Sequence, residues 1–194
     1  WAIDLTGTNS NLTVHAKQIY GAMLVSNSCF LYIYNTILIQ TTGMQFEIYG
    51  GTTRVYNCYM VNTSTHGSVY GNCQVATAGY IEFYSCTMYS AKSCIETINS
   101  ATTTGQVVLN DCYLKTTGTN FDCINITTSS GTSLAVTIKD TTLIANGTGN
   151  SIDAAQATNV KVYGRCQTNL THDTGNVTLQ VGTVANNGFI IDTN

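Results

Sequence analysis

The stretch Thr53-Arg-Val-Tyr-Asn-Cys-Tyr-Met60 decides the fold, because the chain repeats it. Close copies are Leu31-Tyr-Ile-Tyr-Asn-Thr-Ile-Leu38, Ile81-Glu-Phe-Tyr-Ser-Cys-Thr-Met88, Val107-Val-Leu-Asn-Asp-Cys-Tyr-Leu114 and Val136-Thr-Ile-Lys-Asp-Thr-Thr-Leu143. The shared pattern is apolar, any, apolar, any, Asn/Asp/Ser, Cys/Thr, any, Leu/Met. Its sixth residue falls at Thr36, Cys58, Cys86, Cys112 and Thr141, at intervals of 22, 28, 26 and 29. A degenerate copy, Val160-Lys-Val-Tyr-Gly-Arg-Cys-Gln167, puts Arg165 another 24 residues on, and weaker copies lie at Leu12 to Ile19 and Val177 to Val184. A core pattern that holds while its spacing changes by whole loops is the mark of a solenoid.

Alternating apolar residues predict a strand, and the Asn or Asp that follows predicts a tight turn, since these side chains tolerate a left-handed backbone. Each repeat is therefore strand, bend, strand. A looser apolar stretch upstream supplies a second sheet: Gln45-Phe-Glu-Ile48, Ser68-Val-Tyr-Gly71, Cys94-Ile-Glu-Thr97, Cys123-Ile-Asn-Ile126 and Ser151-Ile-Asp-Ala154. Stacked in register, equivalent strands pair in parallel ~4.8 Å apart and equivalent side chains form columns. The expected fold is all-β, a right-handed single-stranded parallel β-helix of about seven to eight coils. Residues 1–194 form a single such domain. The start at Trp1, without Met or a leader, suggests a piece of a longer chain.

One inner column reads Ile33, Val55, Phe83, Leu109, Ile138 and Val162, and another Thr36, Cys58, Cys86, Cys112 and Thr141. Cysteines stacked by translation point the wrong way for cross-coil disulfides, so free thiols are expected, as in a chain that folds in a reducing cytoplasm. Asn35, Asn57, Ser85, Asp111 and Asp140 form a polar ladder at the bend. Pro is absent, as suits interior strands, and the series of two-residue hairpin signals that an antiparallel sandwich needs is missing.

Composition narrows the partners. Hydrophobic residues make up 43% of the 194 and charged residues only 9%, with a net charge of −3, so the surface is polar but mostly uncharged. Seven scattered Lys and Arg form no basic stripe, which speaks against nucleic acid. No apolar run approaches the ~18 residues needed to insert through a bilayer.

The repeated strand-turn resembles the coil signature of the pectate-lyase-like right-handed β-helices. Ala2-Ile-Asp-Leu-Thr-Gly7 is similar to a segment common in phage tailspike and tail-fibre members of that group. The resemblance implies an elongated homotrimer on the virion tail, folded in the host cytoplasm and contacting host-surface polysaccharide. Many members of the group cleave such polymers by hydrolysis or β-elimination. A bacterial surface adhesin, on the cell surface or extracellular, is the alternative. Neither the Arg-x-x-x-x-Arg motif nor the Asp-rich calcium cluster of pectate lyases appears, and no catalytic motif can be carried over.

Tyr34, Tyr56, Tyr84 and Tyr163 fall on outward positions, with Tyr59 and Tyr113 just past the bend. Aromatic rings with polar tips suit the CH-rich face of a sugar, which makes Tyr56, Tyr59, Tyr84 and Tyr113 candidate carbohydrate contacts; such rings also stack simply along a sheet or pack subunits. Glycoside cleavage needs two carboxyls about 5 to 9.5 Å apart. Glu47, Glu96 and Asp153 occupy equivalent outward positions of the second sheet, with Tyr70 and Asn125 between them. Two coils separate Glu96 from Asp153, ~9.6 Å at the usual strand spacing, and acids scattered for solubility are the alternative. Glu82 aligns one coil from Arg54 as an exposed ion pair, which a lyase could use. His15, His66 and His172 lie far apart in coil number, so neither a metal site nor a cofactor is expected. Three functions remain: a shaft or receptor-binding domain, a polysaccharide depolymerase, and an adhesin.

Overall fold

The computed structural model describes residues 1–65, 71–76, 78–97, 104–126, 134–153, 159–168, 177–179, 183–185 and 189–191. Among these every regular element is a strand, and the strands form three sheets of seven, eight and nine members. One coil contributes Phe46–Ile48 to sheet A, Thr52–Tyr56 to sheet B and Tyr59–Asn62 to sheet C. The next coil repeats the order with Cys73–Val75, Tyr80–Tyr84 and Thr87–Ser90, and every pairing between these coils is parallel. The chain is thus a parallel β-solenoid. About five turns are packed between coils on both sides, and the two end coils bring the sets of sheet A, B and C strands to seven, against the expected seven to eight. The first coil has a neighbour on one side only, and the last gives way to other pairing.

The bend between sheets B and C sets the register. Asn35, Asn57, Ser85, Asp111 and Asp140 adopt φ of 50°, 51°, 50°, 54° and 48°, the left-handed region that short polar side chains tolerate best after glycine. In the next coil Gly164 takes the same place with φ 65°. Each of the five non-glycine residues offers its backbone N–H to the coil above: Asn57 donates to Tyr84 O at 2.9 Å and Ser85 to Asn110 O at 3.0 Å. The ladder is partly joined through side chains, with Ser85 Oγ donating to Asp111 Oδ2 at 3.0 Å. The bend therefore recurs at one place along the axis, and every column follows from it.

Ile33, Val55, Phe83, Leu109, Ile138 and Val162 pair in register as one inner column and are all buried. Thr36, Cys58, Cys86, Cys112 and Thr141 are buried just past the bend. All eight cysteines are free and buried. Cys86 donates to Val55 O at 3.4 Å and Cys112 to Phe83 O at 3.4 Å, so the thiols satisfy carbonyls of the preceding coil rather than one another covalently. Burial pushes the Cys73, Cys94 and Cys166 thiols up, away from the reactive thiolate.

A polar inner column closes the corner from sheet C to sheet A. Gln40, Asn62, Ser90 and Thr116 align and are buried, and each uses its side-chain oxygen to accept an N–H that no strand can satisfy. Thr41 N donates to Gln40 Oε1 at 2.9 Å, Ser64 N to Asn62 Oδ1 at 2.9 Å, Lys92 N to Ser90 Oγ at 3.1 Å and Asn146 N to Thr116 Oγ1 at 2.9 Å. Buried backbone amides need such partners, at a cost of about 1–3 kcal/mol each when left without one.

Three expectations are corrected. The fourth strand of sheet A is Cys73–Val75, not Ser68 to Gly71, so Gln74 stands between Glu47 and Glu96 where Tyr70 was expected. Residues 66–70 lie outside the described ones. In the copy at 160–167, Gln167 pairs with Thr142, so Cys166 and not Arg165 enters the core column. Arg165 is an extra residue at the bend, turned to solvent, with its N–H on Asp140 Oδ1 at 2.9 Å. The copy at 177–184 does not make a further coil. Val177–Leu179 extends sheet B in parallel, but Thr183–Ala185 and Phe189–Ile191 pair antiparallel and close sheet C against Cys166 and Gln167.

Thr53 breaks the apolar column that runs from Leu31 through Ile81, Val107 and Val136. It is fully buried, and its Oγ1 has no hydrogen-bond partner among the described residues. Replacing that hydroxyl by a methyl group of the same shape removes a desolvation penalty. Thr53→Val should raise stability by about 1 kcal/mol in chemical denaturation, and a loss of stability would show that the hydroxyl is satisfied in solution.

Candidate functional site

Three outer faces differ in chemistry. On sheet B the rings of His15, Tyr34, Tyr56 and Tyr84 stack at centroid spacings of 5.0, 4.8 and 5.0 Å, with interplanar angles of 12°, 4° and 8°. Parallel strands repeat at nearly the thickness of two ring faces in contact, so identical aromatic residues in one column stack almost flat. Stacking occupies the faces. Tyr56 and Tyr84 present mainly edges and hydroxyls outward, and their rings serve the register of the sheet.

Beside this ladder Arg54 Nε donates to Glu82 Oε2 at 2.5 Å, while the Tyr80 hydroxyl donates to Glu82 Oε1. The register places Glu82 one coil from Arg54 as expected. The pair is more sheltered than an exposed one, with Glu82 buried and the Arg54 guanidinium 5.9 Å from the Tyr32 ring centroid. Burial first, and then the bond to Glu82, push the Tyr80 hydroxyl up to about 12, so it is a donor at neutral pH and not a base. Both Glu82 oxygens are engaged. The cluster reads as an anchor for the sheet.

The outward column of sheet A runs Glu47, Gln74, Glu96, Asn125, Asp153. The register sets Glu96 and Asp153 two coils apart, as expected. Their burial differs from expectation: Glu96 is 0% exposed and Glu47 8%, so these are not scattered surface acids, while Asp153 is half-buried. Glu47 Oε1 accepts the Tyr49 hydroxyl at 2.5 Å. Gln74 Nε2 donates to Glu96 Oε1 at 3.2 Å, and the Gly71 N–H donates to the same carboxyl. Gly71 is pressed against the neighbouring corner: a Cβ there would stand 1.5 Å from Ser93 O. Glu96 Oε2 has no hydrogen-bond partner among the described residues. Burial pushes the carboxyl up to about 8, against the opposing Gly71 bond and the charge of buried Lys92.

Sheet C carries the third face. One outward column reads Gln18, Ile37, Tyr59, Thr87, Tyr113, Thr142 and Gln167, the other Tyr20, Ile39, Val61, Tyr89, Lys115 and Ile144. Lys115 is the single charge among these described residues. Tyr20 is 67% exposed, Tyr59 45% and Ile37 40%. Tyr59, Tyr89 and Tyr113 alternate between the columns at centroid spacings of 5.6 and 6.0 Å, tilted by 47° and 49°, so their faces are not closed by one another. At its first strand the strip meets a cleft of about 460 Å³ lined by Trp1, Tyr20, Gln40, Thr42 and Met44.

The sequence candidates therefore separate. Tyr59 and Tyr113 share one face, with Tyr89, which the repeat pattern did not single out, between them. Tyr56 and Tyr84 belong to another face. Tyr89 was missed because it lies beyond the eight-residue motif, although it occupies the third residue of its strand, Thr87–Ser90. His66 and His172 lie outside the described residues. Comparison with family models, curated proteins and solved structures finds no match.

The Glu96 carboxyl has a folded-state pKa raised above its ordinary value of 4.5, so the folded chain holds that proton more tightly than the unfolded chain. Its contribution to stability is fully present below about pH 4.5 and falls by up to about 1.4 kcal/mol per pH unit as pH rises towards about 8, then levels. Glu96→Gln, which keeps the shape and stays neutral, should flatten this decline and be the more stable protein at pH 8. Parallel urea titrations of both proteins between pH 4.5 and 9 measure it, and equal slopes would contradict a proton held on Glu96.

Proposed function

We propose that the chain is a polysaccharide-holding β-solenoid, of the phage tailspike or tail-fibre kind, that contacts a host-surface glycan along sheet C without cutting it. The tilted row Tyr59, Tyr89, Tyr113 carries this reading. Aromatic faces open to solvent beside hydroxyl and amide side chains suit sugar rings, which offer CH groups on one side and hydroxyls at the edge. The dimensions favour a polymer over a protein partner. Seven strands at ~4.8 Å and about four residues at ~3.3 Å give a strip of roughly 30 by 13 Å, well below the ~800 Å² that each side of a standard protein interface covers. A homotrimer on the virion tail belongs to the same proposal, with sheet C turned outward; an adhesin on a cell surface would use the strip in the same way.

Depolymerase activity is the second reading, and Glu96 favours it. A carboxyl still protonated near neutral pH is what a general acid requires, and Asp153 stands two coils away, close to the inverting separation. Complete burial of Glu96 weighs against it, since a general acid must reach the glycosidic oxygen.

Binding to a panel of bacterial surface polysaccharides separates the two readings. The doubly substituted Tyr59→Ala, Tyr89→Ala protein should bind the recognised polymer roughly 5- to 150-fold more weakly, as loss of two stacking contacts worth about 0.5–1.5 kcal/mol each requires. Tyr56→Ala should lower the melting temperature and leave affinity unchanged. Undiminished binding by the double variant would sink the sheet C site. New reducing ends or unsaturated uronates that depend on Glu96 would establish the enzyme.

A further inference from the structure

We infer that the ligand of the sheet C strip is an uncharged, extended, β-linked glycan lying parallel to the solenoid axis, about one sugar residue per coil; this rests on the glycan reading of that face. Three observations define the ligand class.

The first is pitch. Contacts on sheet C recur once per coil, at the ~4.8 Å spacing of parallel strands, close to the length of one sugar residue in an extended chain. The inner columns stay in register from Leu38 through Met60, Met88 and Leu114 to Leu143. The outer row therefore advances by one strand spacing per coil over the same coils, and a chain that curls would leave it after a few residues.

The second is alternation. Tyr59 and Tyr113 stand in one column and Tyr89 in the other, one coil between each. Tyr20 stands in the Tyr89 column three coils below it. Rings that switch sides at every coil match a ribbon whose successive sugars are turned over, as equatorial β-linkages produce. An α-linked chain of the helical kind presents the same side repeatedly and fits a single column instead. The tilts of 47° and 49° leave each ring face available to a residue of such a ribbon.

The third is charge. Lys115 is the single charged residue among the described outward positions of sheet C, and Gln18, Thr87, Thr142 and Gln167 supply neutral polar groups along the strip. Neutral donors and acceptors suit hydroxyl or acetamido groups. A polyuronate would bring one carboxylate per coil to a face with a single cation, and the unpaired charges would be desolvated without compensation.

The test is calorimetric titration of the full chain with oligosaccharides of two to eight residues: cello- and N-acetylchito-oligosaccharides as neutral β-linked probes, malto-oligosaccharides as neutral α-linked ones, and oligogalacturonates as acidic ones. Affinity for at least one β-linked series should climb with length and level off at about seven residues, one for each strand of the strip. Malto-oligosaccharides and oligogalacturonates of equal length should bind at least roughly tenfold more weakly. Tyr89→Ala should remove the gain from lengthening beyond the dimer, with an unchanged circular dichroism spectrum.

Tighter binding of the α-linked or acidic series overturns the inference, as does affinity independent of length. If no oligosaccharide binds but a surface polysaccharide still binds through Tyr59 and Tyr89, the inference fails while the glycan reading stands. If no polysaccharide binds at all, both fall.

Discussion

The structure depends on a backbone turn taken with the wrong hand. At Asn35, Asn57, Ser85, Asp111 and Asp140 the chain adopts positive φ and swings from sheet B into sheet C. Each such residue pairs its N–H with the coil above, so the turn of one coil locates the turn of the next. A slip of one residue would send every apolar side chain of a strand to the opposite face. The left-handed residue opposes this, because Tyr34, Tyr56, Tyr84 and Lys139, which precede it in four of the five coils, lack the short polar side chain that makes the conformation acceptable; only Asn110, before Asp111, has one. Core packing, corner hydrogen bonds and the chemistry of each outer face follow from that register.

The same repetition divides labour among the faces. Translation by one strand spacing brings identical side chains into contact, so a column magnifies whatever residue occupies it. Tyrosines in one column close on one another and become a spine, as on sheet B. Tyrosines that alternate between two columns stay open, as on sheet C. Carboxyls in one column would repel, and on sheet A they do not stand as neighbours: Gln74 separates Glu47 from Glu96, and Asn125 separates Glu96 from Asp153. Burial does the rest, keeping the proton on Glu96.

Much of the fold was legible in the motif. The alternation Val55, Cys58, Met60 and its copies marks inside positions directly, and Asn57 and its equivalents mark the bend, because backbone sterics restrict that place to few residue types. Sheet A was less legible. Its strands are three residues or fewer, too short for alternation to show, so Ser68 to Gly71 competed on equal terms with Cys73–Val75. The polar column Gln40, Asn62, Ser90, Thr116 has four different residues doing one job, which a pattern search for similarity passes over. The open or closed state of an aromatic row was also beyond the sequence, since it turns on which of two columns a tyrosine occupies and on ring tilt. The Arg165 insertion shows the limit from the other side: a repeat counted at fixed offset places an arginine in the core, and only pairing with Thr142 shows that the chain bulges to let Cys166 in.

The buried thiols have a consequence outside recognition. Every coil from the second to the seventh carries at least one: Cys29, Cys58, Cys73 with Cys86, Cys94 with Cys112, Cys123, and Cys166. None can react with a water-borne reagent until its own coil opens, and the coils of a solenoid hold mainly to their nearest neighbours. The protein is thus marked along its length like a graduated rod. The order in which its cysteines become accessible spells out the direction in which the stack comes apart.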